Sequence, residues 1–354
     1  MPGAGDAPPI LDFSSFYKNN PEAKQKLVED VRNCCLHNGF FQITGHNVPL
    51  ELQNKIMGWN KRFFDLELEQ KNTVNKDTTN TWNRGYELMK SQILEEGTLP
   101  ELKEGFYIGD EITKDHPYFV NKKLNSGPNM WPSKDIVPDV DDFKSTALDY
   151  YGQVVDLAKD ILKVLALTLD LEESWFDDFS SGAVATMRLL HYPSQPADSP
   201  AKLTRGIGAH TDFGCVTILL QGDVAGLQVY DYMTKDWLDV TPTPGAFVVN
   251  LGNLMMRWSN DKYISNLHRV INKSGAERYS IPVFFSGNPD YEVKCLPNCA
   301  KENEEPKWSP ITVEQAIKNG YADSYGRAER YKKEAAAKAA GEVLVKPGQQ
   351  VAVA

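Results

Sequence analysis

The sequence has little that would place the chain in a membrane, on nucleic acid or among disordered proteins. No apolar run approaches the roughly 18 residues that cross a bilayer, and we expect no signal peptide between Met1 and Ile10. The 354 residues include 38 Lys and Arg against 48 Asp and Glu, a net charge of −10 without a dense basic block. This balance disfavours nucleic acid and membranes as partners. The length allows a large hydrophobic core, which disfavours disorder.

Cysteine is scarce and poorly placed for cross-linking. There are five cysteines, an odd number, and Cys34 and Cys35 are neighbours, which are very rarely bridged. Cys295 and Cys299 lack a second Cys or His pair that would complete a zinc site. We therefore expect reduced, mostly buried thiols in a cytoplasmic protein.

The predicted elements run in the order helices, strands, helical tail. Helical spacing of apolar residues follows an Asn20-Pro21 cap and ends near Gly39, and the longest helical pattern runs from about Asp141 to Leu169. From Val184 onward, short apolar runs between glycines and prolines predict strands. These are Val184–Tyr192, Val216–Gln221, Leu227–Tyr230, Ala246–Leu251, Asn266–Asn272 and Tyr279–Phe285.

This order predicts a mainly β protein with flanking helices (α+β) around a jelly-roll core, because βαβ units would need helices between the strands. We expect residues 1–140 to form a helical and strand region that packs on and covers the barrel, loop-rich between Lys71 and Pro138. Residues 141–295 would hold the long helix and the catalytic jelly roll. Residues 296–354 would form an extension whose Ala-rich helix, from about Ala322 to Ala340, is solvated or packs at an edge.

Two of the six histidines have a spacing that suits a metal site. His210 and Asp212 are two residues apart, so in an extended chain their side chains share one face, and His268 follows further along the chain. Two imidazoles and a carboxylate are the ligands of non-haem Fe(II) oxygenases, which keep coordination positions open. This spacing alone is weak evidence, because satisfied surface histidines are common.

A second motif lies one predicted strand beyond His268. Arg278 and Ser280 share a strand face, and a guanidinium beside a hydroxyl can bind a carboxylate through charge-assisted hydrogen bonds. A surface arginine in an ion pair is the alternative interpretation of this tripeptide. Taken together, the two motifs are far more specific than either one.

In this order and spacing, the motifs resemble those of Fe(II)/2-oxoglutarate-dependent dioxygenases of the isopenicillin N synthase-like superfamily. The likeness spans nearly everything from Pro9 to about Pro289, and Asn83-Arg84-Gly85-Tyr86 is similar to a fungal and microbial branch that includes thymine hydroxylase. The resemblance implies a double-stranded β-helix core, with Fe(II) as metal and 2-oxoglutarate and O2 as co-substrates. The implied metal ligands are His210, Asp212 and His268.

The resemblance also implies roles for residues near the metal. Arg278 and Ser280 would bind the distal carboxylate of 2-oxoglutarate, together with the Tyr192 hydroxyl. Strand parity supports Tyr192 independently, because Arg188 and Tyr192 share one face while His191 points away. Arg188 is therefore a candidate substrate-orienting cation, with a buried ion pair as the alternative, and His191 is interpreted as structural.

Family position also predicts which residues surround the substrate. Phe213 and Phe284 would wall its cavity, and the loop from Asn83 to Tyr86 would close over it. Parity predicts that Phe213 faces away from the metal, since it follows Asp212 directly, unless the strand is bulged. Packing in the barrel core therefore stays an alternative for these aromatic residues.

The predicted function is 2-oxoglutarate decarboxylation coupled to hydroxylation, or related C–H oxidation, of a small organic molecule. Secondary metabolites, nucleobases and amino-acid-like compounds all remain candidates. One alternative is an iron oxidase or oxidative cyclase of the isopenicillin N synthase type, whose Arg-x-Ser pair holds the carboxylate of its own substrate. The other is a non-catalytic ligand-binding barrel. The sequence leaves the substrate and the oligomeric state open.

Overall fold

The computed structural model describes residues 3–78, 83–195, 206–300 and 305–339. The strands are β1 (Ile10–Asp12), β2 (Phe40–Thr44), β3 (Gly85–Glu87), β4 (Glu104–Ile108), β5 (Val184–Tyr192), β6 (Ile207–His210), β7 (Val216–Gln221), β8 (Leu227–Asp231), β9 (Asp236–Asp239), β10 (Phe247–Leu251), β11 (His268–Val270), β12 (Arg278–Gly287), β13 (Glu292–Val293) and β14 (Ile311–Thr312). The helices are α1 (Ser14–Tyr17), α2 (Pro21–His37), α3 (Leu50–Phe64), α4 (Leu68–Asn72), α5 (Pro117–Val120), α6 (Val140–Thr168), α7 (Asp177–Ser180), α8 (Asn253–Trp258) and α9 (Val313–Ala339).

Two largely antiparallel sheets form the jelly roll, and the predicted fold class is confirmed. The large sheet has the order β1-β2-β10-β7-β12-β5-β4-β3, and the small sheet has the order β6-β11-β8-β9. Strands from residues 1–140 thus extend both ends of the large sheet. Within the described residues, no helix is long and apolar enough to cross a bilayer, and all five cysteines are free.

The helices start and stop where local chemistry favours it. The Asn20 side chain accepts a hydrogen bond from the Ala23 N–H at the start of α2, and Pro21 occupies the first turn. Gly39, just beyond α2, has φ +70°, a left-handed conformation that glycine adopts without steric cost. The buried faces of α2 and α3 pack against the long helix α6.

The structure corrects several predicted boundaries. The stretch from Lys71 to Pro138 contains β3 and β4, and α9 begins at Val313, well before Ala322. β6, β9 and α8 were not predicted as such. These elements are short, and a few residues are not enough to show a helical or alternating period.

Side chains alternate between two cores along the strands. Leu189 and Val249 belong to the main core, beneath the helices on the outer face of the large sheet. Their neighbours Leu190 and Val248 belong to a smaller cluster on the inner face, together with residues of the small sheet. This apolar cluster surrounds the polar groups that lie between the two sheets, and the space there holds the site described below.

We predict that Gly39→Ala destabilises the protein by about 1–3 kcal/mol, because alanine is strained in the left-handed region. A Cβ at Gly39 would also lie 2.0 Å from the Ile264 carbonyl oxygen. The matched control is Gly152→Ala in α6, where a Cβ meets no atom within 4 Å and the gain should be about 0.5–1 kcal/mol. Urea unfolding measures both, and similar effects of the two substitutions would contradict the prediction.

Candidate active site

Three side chains converge between the two sheets. β6 and β11 pair antiparallel, with His210 directly opposite His268. The Asp212 Oδ1 atom lies 3.6 Å from Nε2 of each imidazole, and ligand atoms of the three residues all lie within 4.8 Å of one another. Asp212 lies beyond the end of β6, so the turn after the strand brings it to the histidines, not a shared strand face.

Hydrogen bonds direct the ligand atoms toward one point. The Nδ1 atoms of His210 and His268 lie 2.8 and 3.2 Å from the carbonyl oxygens of Gly208 and Asn266. When the Nδ1–H group of an imidazole donates to a carbonyl oxygen, the lone pair on Nε2 is left for a metal. Asp212 Oδ2 accepts hydrogen bonds from two other side chains, which leaves Oδ1 for the metal. The donors are Thr217 Oγ1 at 2.6 Å and Asn250 Nδ2 at 2.7 Å.

The protonation states also suit a divalent cation. Burial and the neighbouring His268 imidazole lower the pKa of His210 to about 3, so its ring is neutral. Burial alone would raise the pKa of Asp212, but the two imidazoles and the hydrogen bonds from Asn250 and Thr217 lower it overall. A neutral His210 imidazole and an ionised Asp212 carboxylate on one side of a buried point fit Fe(II) with open coordination positions.

A carboxylate socket lies in the same cavity. Arg278 is fully buried; its Nη1 donates to Ser280 Oγ at 3.2 Å and its Nη2 to Gln221 Oε1 at 3.1 Å. The guanidinium lies over the Tyr192 ring, 4.8 Å from the centroid, and its Nε has no hydrogen-bond partner among the described residues. A buried donor without a partner fits an incoming carboxylate. Tyr192, Arg278, Ser280 and the three metal ligands line this cavity, which we call the co-substrate compartment.

A second cavity adjoins the first and shares His210 and Asp212 with it. We call it the substrate compartment. Arg188 lines both cavities and also forms the buried ion pair foreseen as its alternative role, with Nη2 2.5 Å from Glu87 Oε2. The residues that line the substrate compartment include Gln92, Thr186, Arg188, Phe213, Phe284 and Tyr321.

Two phenylalanines line the substrate compartment, one from the turn after β6 and one from within β12. Phe213 lies beyond the end of β6, so strand parity does not govern it and the prediction that it faces away from the metal is wrong. Its ring lines the cavity and contacts Tyr321 edge-on, with centroids 5.9 Å apart. Phe284 in β12 pairs with Thr186 in β5 and lines both compartments.

The structure corrects the prediction for the loop from Asn83 to Tyr86, since neither side chain lines either compartment. The Tyr86 hydroxyl is buried and donates to Glu104 Oε2 at 2.5 Å. The Asn83 amide donates to Asn125 Oδ1 at 2.8 Å. Hydrogen bonds to other parts of the fold therefore hold both residues away from the metal.

His191 points away from the cavity, as strand parity predicts. Its Nδ1 lies 2.8 Å from Glu104 Oε1, and its ring stacks on Tyr279. These contacts support its structural interpretation.

Helix α9 supplies part of the wall of the substrate compartment. The prediction of a solvated or edge-packing helix did not include this role. Ile317 and Tyr321 line the cavity, and Tyr325 donates to Glu87 Oε1 at 2.6 Å. A Cβ at Gly320 would lie 2.4 Å from the Phe213 ring, so the helix approaches that ring closely. The four-residue spacing of Ile317, Tyr321 and Tyr325 was the available signal for a buried face.

Other contributors were also missed by sequence reasoning. They are the ligand-supporting Thr217 and Asn250, the Arg278 partner Gln221, and the cavity-lining Gln92, Lys103 and Thr186. Each is a common polar residue without a motif, so only the fold reveals its position.

Fold and site together define a mononuclear non-haem iron oxygenase architecture. Residues 8–134 match the family described as the N-terminal region of a non-haem dioxygenase in morphine synthesis, and residues 183–287 match the 2OG-Fe(II) oxygenase superfamily. A 2-oxoglutarate-Fe(II) type oxidoreductase of Emericella nidulans, hxnY, is 63% identical over 95% of each chain. One from Aspergillus fumigatus is 50% identical over 92% of this chain and 96% of its own length.

A solved structure of a full-length Neurospora crassa protein in complex with alpha-KG has a TM-score of 0.79 and 26% identity, covering 91% of this chain and all of the Neurospora chain. The chain belongs to the 2OG-Fe(II) oxygenase superfamily. It is a 2-oxoglutarate-dependent oxidoreductase with Fe(II) and 2-oxoglutarate as its cofactors, as the resemblance implied.

We predict that Thr217→Val weakens Fe(II) binding about tenfold, because partners of metal ligands typically contribute 10–100-fold to affinity. Loss of the hydroxyl removes one of the two hydrogen bonds that hold Asp212 Oδ2. Asp212→Ala should abolish Fe(II) binding and turnover. Anaerobic Fe(II) titration measures both, with the exposed Thr113→Val as control. Wild-type affinity in Asp212→Ala would contradict the ligand assignment.

We predict that Arg278→Lys raises the KM for 2-oxoglutarate roughly tenfold, because lysine keeps the charge but loses the bidentate fork. Fe(II) affinity should stay unchanged, since Arg278 contacts none of the three metal ligands. Steady-state succinate formation measures the KM. The control is Arg257→Lys, because Arg257 stacks on Trp308 away from the site. An unchanged KM in Arg278→Lys would place the distal carboxylate elsewhere.

Proposed function

We propose that this protein oxidises a C–H bond, by hydroxylation or a related reaction, in a small ring compound that carries a carbonyl or carboxylate oxygen. 2-Oxoglutarate is the co-substrate. The observation that carries this proposal is the pair of adjoining compartments that meet at His210 and Asp212. One contains the carboxylate socket, and the other contains aromatic walls with unpartnered buried donors.

Two compartments favour two organic ligands. An oxidase that used Arg278 and Ser280 for the carboxylate of its own substrate would need only the co-substrate compartment. With 2-oxoglutarate bound there, the adjoining concave space lined by Phe213, Phe284 and Tyr321 remains for a separate small molecule. The arrangement therefore favours the 2-oxoglutarate enzyme over the oxidase and over a simple binding barrel.

Aromatic side chains favour a ring as substrate. Phe213, Phe284 and Tyr321 reach the substrate compartment from the turn after β6, from β12 and from α9. Planar ligands gain both buried area and favourable ring contacts between such walls. Helix α9 also covers this compartment and helps to exclude water from it.

Unpartnered donors define the polar edge of the substrate. Arg188 Nε and Thr186 Oγ1 have no hydrogen-bond partner among the described residues, and both residues are at least nine-tenths buried. They are two residues apart in β5, so they share one face. An oxygen acceptor that satisfies both removes a penalty of about 1–3 kcal/mol for each group. Because Arg188 shares Glu87 with Lys103 and Lys76, a neutral carbonyl and a carboxylate are both compatible.

His210, Asp212 and His268 would hold the iron, which would supply oxygen activation; in a hydroxylation one oxygen atom of O2 would enter the C–H bond and the other succinate, as CO2 leaves. The protein holds the distal carboxylate of 2-oxoglutarate at Arg278 and Ser280. Arg188 and Thr186 hold the polar edge of the ring, so that one C–H bond faces His210 and Asp212. Thymine, which is bound in another solved structure of the full-length Neurospora crassa protein, is a ring of this kind.

We predict succinate and oxidised product in a one-to-one ratio with ring compounds such as pyrimidines and carboxylated aromatics, but not with acyclic amino acids. Thr186→Val should lower kcat/KM for the ring substrate roughly tenfold through loss of one hydrogen bond, with the KM for 2-oxoglutarate unchanged. Mass spectrometry of products with parallel succinate assays measures this. Preference for acyclic amino acids, or product without succinate, would contradict the proposal.

A further inference from the structure

The strand that carries His210 is irregular and lies at the open edge of the small sheet. Among the residues that the structure describes, β6 pairs with β11 and has no strand on its other side. His210 lies opposite His268 and Ile207 lies opposite Val270, so two residues of β6 face a single residue of β11. Such a bulge leaves backbone groups outside the ladder and changes the direction of the next side chain.

Two carboxylates from the segment before β4 occupy the position that a neighbouring strand would otherwise take. The Gly208 N–H donates to Glu101 Oε1 at 3.3 Å, and the Ala209 N–H donates to Glu95 Oε2 at 2.9 Å. A Cβ at Gly208 would lie 2.6 Å from Glu95 Cβ, so glycine permits this close approach. Both N–H groups of the bulge are thus bound by side chains.

The same bulge sets the orientation of a metal ligand. The Gly208 carbonyl oxygen lies 2.8 Å from His210 Nδ1. Gly208 is therefore held by Glu101 at its N–H and bonded to the imidazole at its carbonyl. A shift of this residue would turn the acceptor that directs His210 Nε2 toward the metal position.

The segment that carries the two carboxylates is itself anchored. Glu101 is 1% exposed, and its Oε1 also accepts from the Leu94 N–H at 2.9 Å. Its Oε2 lies 3.8 Å from Lys103 Nζ, which compensates the buried charge. From α9, Arg327 donates to the carbonyl oxygens of Ile93 and Leu94 at 2.9 and 3.2 Å. Hydrogen bonds from Arg327 and within the segment therefore hold the two carboxylates in place.

We propose that Glu95 and Glu101 are positioning residues for iron binding, which hold the β6 bulge so that His210 Nε2 points to the site shared with Asp212 and His268. They do not touch the metal position; they act through the backbone of Gly208 and Ala209. Direct hydrogen-bond partners of metal ligands typically contribute 10–100-fold to metal affinity. Glu95 and Glu101 are one hydrogen bond more distant from the metal than such partners, because they bond the backbone that orients His210. The lower end of that range is therefore expected.

The test is anaerobic calorimetric titration of the full-length protein with Fe(II), beside thermal unfolding of the metal-free protein. Glu95→Ala and Glu101→Ala should each raise the Kd for Fe(II) roughly tenfold. Glu95→Gln and Glu101→Gln keep an acceptor oxygen at the same place and should bind Fe(II) like the wild type. The exposed neighbour Glu96→Ala is the matched control and should also leave the Kd unchanged.

Wild-type Fe(II) affinity in both alanine variants would overturn the proposal. Equal losses in the alanine and glutamine variants would also overturn it, because the charge and not the hydrogen bond would then matter. If Glu101→Ala fails to fold, Glu95→Ala decides, since Glu95 is only half-buried. The probe is Fe(II) alone, so a failure to find a ring substrate does not affect the result.

Discussion

The pairing of β6 with β11 brings the iron site together, because it places His210 opposite His268 across one pair of short strands. Asp212 follows in the turn after β6 and completes the ligand set. Carbonyl groups of the same strands and loops orient both imidazoles, while Thr217 and Asn250 hold the carboxylate. The site therefore depends on backbone register before it depends on any side-chain motif.

Charge compensation allows so many ionised groups to lie around one buried cavity. Burial alone would raise the pKa of Glu87, but Lys103, Arg188 and Lys76 lower it to about 2. An unpaired buried charge would cost several kcal/mol, so Arg188 can line the cavity only because Glu87 is beside it. This pairing leaves Arg188 Nε available as a donor.

Helix α9 joins parts of the site that are distant in sequence. It contacts Phe213 through Gly320 and Tyr321, Glu87 through Tyr325, and the segment with Glu95 and Glu101 through Arg327. The substrate compartment, the ion pair of Arg188 and the support of β6 thus share one element.

From the sequence by itself came the predictions of the metal ligands, the carboxylate socket, the jelly-roll class and the face of β5 that carries Arg188 and Tyr192. These follow from motifs and from the strict two-residue period of a strand, which are local properties. Only the tertiary structure decided that Phe213 lines the cavity, that Asn83 and Tyr86 lie outside it, and that α9 closes it. Those outcomes depend on where strands end and on contacts between distant segments, which no local period encodes.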